Sequence, residues 1–313
     1  MKILITDKVH PLLIEGLRQL GHEVVYDTSV TLDILPDHLA KLDGIIINSK
    51  ILMDEKMIDL GENLRFIARL GSGMEIIDVP YAKSKSIYVI NTPDGNCDAV
   101  AEHAIGMMLA FANNLIKANA EVKDFDWRRE ENRGFELGGK TIGIIGMGHT
   151  GSALARKLRG FEMKILGVDK YKNKEDYFEG CEHVVASSLE EILQKADIIS
   201  FHLPLSRETN HYADSSFFAQ AIKKPLIVNT SRGNVIHTSE LLKALEQKII
   251  KGACLDVFEN EKPKSFSQEE KELYGKLYDL ENTILSPHIA GWTHESLEKI
   301  ARLTLNRIQK ALI

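Results

Sequence analysis

Cysteine is scarce in this 313-residue chain, and Cys97, Cys181 and Cys254 are odd in number, far apart and in no CxxC or metal spacing. Nothing therefore points to a disulfide-built secreted scaffold or a cysteine metal site. Free thiols in a reducing cytoplasm, and no metal, are expected. Long apolar runs are also missing. None approaches the ~20 residues that cross a bilayer, so no membrane partner is expected. The opening Met1-Lys2-Ile3-Leu4-Ile5-Thr6-Asp7 has one basic residue and a short apolar run, which reads as a first strand and not as a signal peptide. An excess of cations is absent as well. With 39 Lys and Arg against 45 Asp and Glu the formal charge is −6, which argues against nucleic acid as a partner. There is no internal repeat or low-complexity tract. The nearest thing is the polar stretch from Glu259 to Lys271, read as a surface excursion.

What is present is globular. The chain is 44% hydrophobic and 27% charged, which excludes wholesale disorder. Its length predicts about two domains. Short apolar runs alternate with amphipathic ones: strands are expected at 2–6, 23–26, 44–48, 66–69 and 87–90, and a helix over 11–20 that begins on Pro11 and stops at Gly21. The longest helical pattern runs from Asp98, as N-cap, to about Asn119; residues 121–139 read as a polar connector. A second series starts at Lys140, with strands expected at 141–145, 164–168, 197–202, 226–229, 253–256 and 283–285, and a last helix over about 295–312. Alternation of this kind predicts an α/β chain of parallel sheets with helices on both faces.

The strongest local motif is Gly146-Met147-Gly148-His149-Thr150-Gly151, a G-x-G-x-x-G between an apolar strand and a helix. Gly146 allows the turn, Gly148 lets backbone approach a pyrophosphate, and Gly151 lets helix pack on strand. Free N–H groups and the positive end of the helix dipole then face the phosphates. The next strand ends in Asp169, placed to accept hydrogen bonds from ribose hydroxyls and to repel a 2′-phosphate, which favours NAD over NADP. Lys170 and Lys172 leave NADP open, and a flavin or S-adenosylmethionine site uses a similar turn. Further on, three segments each follow a strand-like run: Asn229-Thr230-Ser231-Arg232-Gly233, Asp256-Val257-Phe258-Glu259-Asn260-Glu261, and Ser286-Pro287-His288-Ile289-Ala290-Gly291. In an open α/β sheet the C-terminal ends of strands face the ligand, which would gather Arg232, Glu261 and His288 near the cofactor. Taken singly each has a blander reading: Arg232 as a surface or capping residue, Glu261 as part of a solvated acidic stretch, His288 as the end of a turn.

Together these segments resemble the D-isomer-specific 2-hydroxyacid dehydrogenases, and the resemblance covers essentially the whole chain. Gly71-Ser72-Gly73 and Asn91-Thr92-Pro93 resemble that family's substrate domain. Asn96 and Ala99-Val100-Ala101-Glu102-His103 resemble its long linking helix, and Trp127 with Gly139-Lys140-Thr141 its entry into the cofactor domain. His202-Leu203-Pro204-Leu205 followed by Thr209 resembles its cofactor-pocket loop. The resemblance implies two doubly wound parallel-sheet domains with a cleft between them: a flavodoxin-like substrate domain, 1–98 plus 287–313, and a Rossmann NAD-binding domain, 99–286.

It implies the roles too. His288 is the acid–base, Glu261 its acidic partner, and Arg232 the anchor of the substrate carboxylate. A carboxylate beside an imidazole favours the imidazolium and orients the ring. The cofactor set is Gly146, Met147, Gly148, His149, Thr150, Gly151, Asp169, His202, Pro204, Thr209, Thr230, Ser231, Arg232, Asp256, His288 and Gly291, with Asp256 near the nicotinamide. The substrate, a small 2-oxoacid or 2-hydroxyacid, would meet Ser72, Gly73, Arg69, Asn48, Arg232 and His288. A homodimer through the cofactor domain is expected. Trp127 is expected in core or interface, and His103 and His202 read as histidines of structural use.

The first 100 residues lean towards phosphoglycerate dehydrogenase, with glyoxylate or hydroxypyruvate reductase as the alternative. Asn48 stands where phosphoglycerate dehydrogenases carry an arginine, although Lys50 is close in sequence. The end at Ile313 leaves no room for the regulatory domains some of those enzymes carry, so feedback by serine through such a domain is not expected. A formate dehydrogenase is disfavoured, since that branch pairs its histidine with glutamine. An NAD(H)-sensing corepressor, or a Rossmann enzyme of other chemistry such as a methyltransferase, are the readings from other classes.

Overall fold

A computed structural model describes residues 1–177 and 179–312. In chain order the elements are β1 (Lys2–Ile5), α1 (Pro11–Gln19), β2 (Glu23–Tyr26), α2 (Pro36–Leu39), β3 (Gly44–Ile47), α3 (Glu55–Leu60), β4 (Phe66–Arg69), α4 (Val79–Ser84) and β5 (Tyr88–Ile90). Then come α5 (Cys97–Ala112), α6 (Leu115–Lys123), β6 (Thr141–Ile145), α7 (His149–Leu158), β7 (Lys164–Val168), β8 (Val185–Ala186), α8 (Leu189–Lys195), β9 (Ile198–Phe201) and α9 (Ser215–Gln220). Last are β10 (Leu226–Asn229), α10 (Thr238–Glu246), β11 (Gly252–Leu255), α11 (Gln268–Tyr278), β12 (Thr283–Leu285) and α12 (His294–Ala311). No single helix among the described residues is long and apolar enough to cross a membrane.

Two compact units result: Met1–Cys97 with the chain from Trp292 onward, and Asp98–Gly291. The first holds a five-stranded parallel sheet in the order β2-β1-β3-β4-β5. That order is flavodoxin-like, with its switch point between β1 and β3. The strands are nearly continuous Ile and Leu because helices cover both faces. Leu13 and Leu17 of α1 pack with Ala301 and Ile308 of α12 on one face, and Leu35, Leu39, Met57 and Ile58 lie on the other. Gly16 is what lets α12 lie this close, since a Cβ there would meet the Leu305 side chain at 2.3 Å.

The second unit holds a seven-stranded sheet, β12-β11-β10-β9-β6-β7-β8, all parallel. β6 pairs with β7 on one side and β9 on the other, so the switch point lies between β6 and β9. Phe201, Phe217, Phe218, Ile199, Ile227 and Leu241 fill the core on one face.

Four expectations change. The long helix predicted from Asp98 to Asn119 is two helices: Asn114 adopts a left-handed conformation, φ 50°, and α6 leaves at 60° to α5. Asn tolerates that geometry better than most residues. Asp98 lies in the first turn of α5 and not before it. The polar 259–271 stretch is no mere excursion, because Ser267 and Glu270 form a reciprocal capping box that starts α11. Residues 287–291, placed by sequence with the terminal helix, group with the second unit, where backbone and side-chain hydrogen bonds to Asp256 hold them.

Candidate active site

The glycine turn follows β6, at the switch point. Gly146 has φ 98°, and a Cβ there would lie 2.4 Å from the His202 carbonyl oxygen, so the turns after β6 and β9 touch only because Gly146 has no side chain. A Cβ on Gly151 would meet the Gly146 oxygen at 2.0 Å, so α7 sits directly on the turn. Gly148 differs: it is the N-cap of α7, its side accepts no capping bond, and a Cβ there meets nothing within 4 Å. The first-turn amides of α7, at His149 and Thr150, therefore begin beside open space, which suits a pyrophosphate.

Asp169, just past β7, accepts Met147 N–H at 2.8 Å through one oxygen and Tyr171 N–H at 2.9 Å through the other, which fixes the carboxylate beside the turn. In the loop after β9, Thr209 Oγ1 donates to the Pro204 carbonyl at 2.6 Å and accepts Ser206 N–H at 2.8 Å. Two buried polar atoms at the same strand ends, His202 Nδ1 and Thr230 Oγ1, have no hydrogen-bond partner among the described residues. Burial lowers the His202 pKa to about 4, so its ring is neutral at neutral pH, with Nε2 on Ser200 Oγ at 2.9 Å. A glycine turn with open space, an acid at the next strand end and two orphaned polar atoms fit a dinucleotide.

The chemistry-bearing loops follow β10, β11 and β12. Asn229 shapes the first: its Oδ1 accepts Ser231 N–H and Ser231 Oγ, and its Nδ2 donates to the Arg232 carbonyl at 2.9 Å. Arg232 Nη1 returns to the Ser231 carbonyl at 2.7 Å. Gly233 then presses on the second loop, for a Cβ there would fall 1.9 Å from the Phe258 carbonyl group. This contact sets Arg232 near Glu261. His288 Nδ1 lies 2.7 Å from Glu261 Oε2, and Phe258 N–H donates to Oε1 at 3.3 Å. Partial burial pushes the Glu261 carboxyl up, but the bond and charge of His288, the Phe258 amide and the Arg232 charge together hold it below the ordinary range. Both members of the pair are accessible, with 48% and 37% of their side chains exposed.

Asp256 takes a different part from the expected one. It is fully buried. One oxygen accepts Ser286 Oγ at 2.5 Å and Ile289 N–H at 2.9 Å, the other accepts Ala290 N–H at 2.8 Å, and its carbonyl accepts His288 N–H at 2.7 Å. It latches the His288 loop, where His288 is held at φ 56°. His103 also belongs to this network, 2.9 Å from Ser286 Oγ and 3.6 Å from the Asp256 carboxylate. The sequence marked His103 only as a histidine of structural use and gave Ser286 no part of its own.

The other predicted residues lie in the first unit. Arg69 ends β4, and its guanidinium lies over Gly71, where a Cβ would meet Nη1 at 1.9 Å. Thr92 Oγ1 accepts Gly71 N–H at 3.0 Å and Asn91 Nδ2 donates to the Ser72 carbonyl at 3.0 Å, so the turn carrying Ser72 and Gly73 is held from β5's end. Asn48 follows β3, its amide on Asp7. Lys50 is spent on the Thr28 carbonyl at 2.7 Å. Trp127 is no core residue, with 74% of it exposed.

The family model for the D-isomer specific 2-hydroxyacid dehydrogenase, NAD binding domain, matches residues 105–290. The chain belongs to this family. A glyoxylate reductase of Thermococcus litoralis is 34% identical over 283 residues, 88% of this chain and 82% of the relative. A D-3-phosphoglycerate dehydrogenase of Methanocaldococcus jannaschii is 35% identical over all of this chain but only 57% of its own length, so the chain spans little more than half of such relatives. Among solved structures, a D-lactate dehydrogenase of Aquifex aeolicus, complexed with NAD and lactic acid, is 27% identical with a TM-score of 0.86, over 100% of this chain and 95% of that one. In this member of the family the matched NAD binding domain falls within the second unit, glycine turn included.

Proposed function

We propose that the protein is an NAD-dependent D-2-hydroxyacid dehydrogenase, with the second unit binding the dinucleotide and the first unit serving as substrate domain. The observation that carries the reading is the His288–Glu261 pair at 2.7 Å, with the Arg232 charge acting on the same carboxylate. Gly146 to Gly151 and the α7 amides would hold the pyrophosphate, and Asp169 the ribose. Bound NAD supplies the hydride acceptor or donor. His288, with Nδ1 on Glu261, keeps Nε2 for the substrate oxygen. It gives a proton to the carbonyl in reduction and removes the hydroxyl proton in oxidation. Glu261, hydrogen-bonded to Nδ1, orients the ring. Arg232 binds the carboxylate and polarises the carbonyl. Ser72 and Gly73 amides, with Arg69 and Asn48, would meet the substrate.

The substrate reading is 3-phosphoglycerate and its 2-oxoacid. One observation favours an unphosphorylated acid such as hydroxypyruvate or glyoxylate: Asn48 is uncharged, and Lys50 is committed to Thr28. NADH oxidation with 3-phosphohydroxypyruvate, hydroxypyruvate, glyoxylate and pyruvate decides between them, and no turnover on any would overturn the enzymatic reading. A second copy of the chain would cover α6, none of whose residues is buried: Ile116 on it is 64% exposed, and Phe125 and Trp127 just after it are 92% and 74% exposed. Light scattering on Ile116→Asp against the parent protein tests the homodimer.

A further inference from the structure

The ribose carboxylate has a cation beside it. Lys170 follows Asp169 directly, and a cation at that point is what a 2′-phosphate needs. Its ammonium, however, is engaged. Lys170 Nζ lies 2.6 Å from Glu208 Oε2, Tyr171 Oη donates to the same oxygen at 3.1 Å, and the ammonium sits 5.4 Å from the Tyr171 ring centroid. The bond to Lys170, then that to Tyr171, holds the Glu208 carboxyl below its ordinary range, and Glu208 raises Lys170 in turn. Lys172 is turned to the Met147 carbonyl at 3.4 Å. Glu208 is well presented for this, because its loop is closed by the Thr209 bonds to Pro204 and Ser206.

We infer that Glu208 is a cofactor-selectivity residue: it holds Lys170 away from a 2′-phosphate and sets a second carboxylate near Asp169, so that the dinucleotide accepted is NAD. With Glu208 present, the Asp169–Lys170–Glu208 group carries a net negative charge; without it, that group is neutral and Lys170 is released. The inference rests on the NAD-binding reading above. The ion pair is exposed and contributes little to stability, so removing it leaves the fold in place.

The test is the ratio of dissociation constants for NADPH and NADH, from fluorescence titration of wild type, Glu208→Gln, Lys170→Met and the double variant. Glu208→Gln is expected to lower the ratio about tenfold, the scale of one nearby charge on an anionic ligand. Adding Lys170→Met should remove at least half of that gain on a logarithmic scale. A ratio unmoved by Glu208→Gln overturns the inference while tight NADH binding upholds the functional reading. A double variant that keeps the full gain overturns the role of Lys170 restraint. A wild-type protein that binds neither dinucleotide overturns the functional reading itself, and this inference with it.

Discussion

At the switch point of each sheet a strand runs into a helix, and the two turns are built in opposite ways. In the first unit β1 passes through Thr6 and Asp7 to α1. The Asp7 carboxylate accepts Thr6 Oγ1 and Asn48 N–H, His10 Nδ1 caps the helix by accepting Leu12 N–H at 3.3 Å, and Pro11 removes one more donor. In the second unit β6 passes through Gly146 and Gly148 to α7, whose N-cap Gly148 offers no side-chain acceptor. One helix start is capped by a side chain, while the N-cap of the other supplies none. The same contrast holds at the later strand ends. The first unit spends Thr92, Asn91 and Asp94 on holding its loops, and Asp94 pairs with Arg307 at 2.8 Å. The second collects Arg232, Glu261 and His288 with part of their surface exposed. Two sheets of one architecture thus differ in what their turns leave unsatisfied, and binding capacity resides there.

Exchanging a histidine in each unit gives the largest expected difference. His288→Asn, chosen because Asn tolerates φ 56°, should lower turnover by ~10²–10⁴-fold with NADH affinity nearly unchanged. His10→Asn in the first unit should leave turnover within about twofold and cost only a fraction of the ~1 kcal/mol of a cap. Equal losses in the two variants would erase the distinction. Next comes acid sensitivity. His202 has a folded pKa of about 4 against an ordinary 6.5, so between those values the unfolded chain takes up a proton that the folded one does not. Stability from this group is therefore whole above 6.5 and falls as pH drops towards 4, by up to about 3 kcal/mol. Denaturation of wild type and His202→Gln from neutral pH to about pH 4 should converge on the acid side. Parallel curves would return His202 to an ordinary environment.

Smaller effects sharpen the loop comparison. Gly233→Ala places a Cβ 1.9 Å from the Phe258 carbonyl group, so it should cost about 1–3 kcal/mol and raise KM as Arg232 shifts from Glu261. An unchanged KM would separate Arg232 from substrate binding. Last, Gly148→Asp gives α7 the kind of acceptor α1 already has. Nothing obstructs its Cβ, so stability should hold or rise by about 0.5–1 kcal/mol while NADH affinity falls about tenfold. A variant that binds NADH as before would show that the α7 amides do not meet the phosphates.

The nearly continuous apolar strands, the glycine turn and the three segments carrying Arg232, Glu261 and His288 were legible because each is a local pattern. Four features were not read this way. Asn114 breaks the long helix through one left-handed conformation inside a run of helix formers. The capping box of α11 lay hidden in a polar stretch whose composition suggested a loop. Asp256 read as a cofactor neighbour because its place in the motif does not say where its oxygens point. Glu208 carried no signal in the sequence.

Sequence by itself determined the alternation of elements, the glycine turn and the segments that carry Arg232, Glu261 and His288, since these depend on side-chain chemistry and spacings of a few residues. The tertiary structure alone decided that Asp256 is spent on the 286–290 backbone, that His103 joins it, and that Lys170 is held by a carboxylate 38 residues away. Those are pairings across loops after different strands. They exist only once the parallel sheet has brought its C-terminal ends together, and no local propensity encodes them.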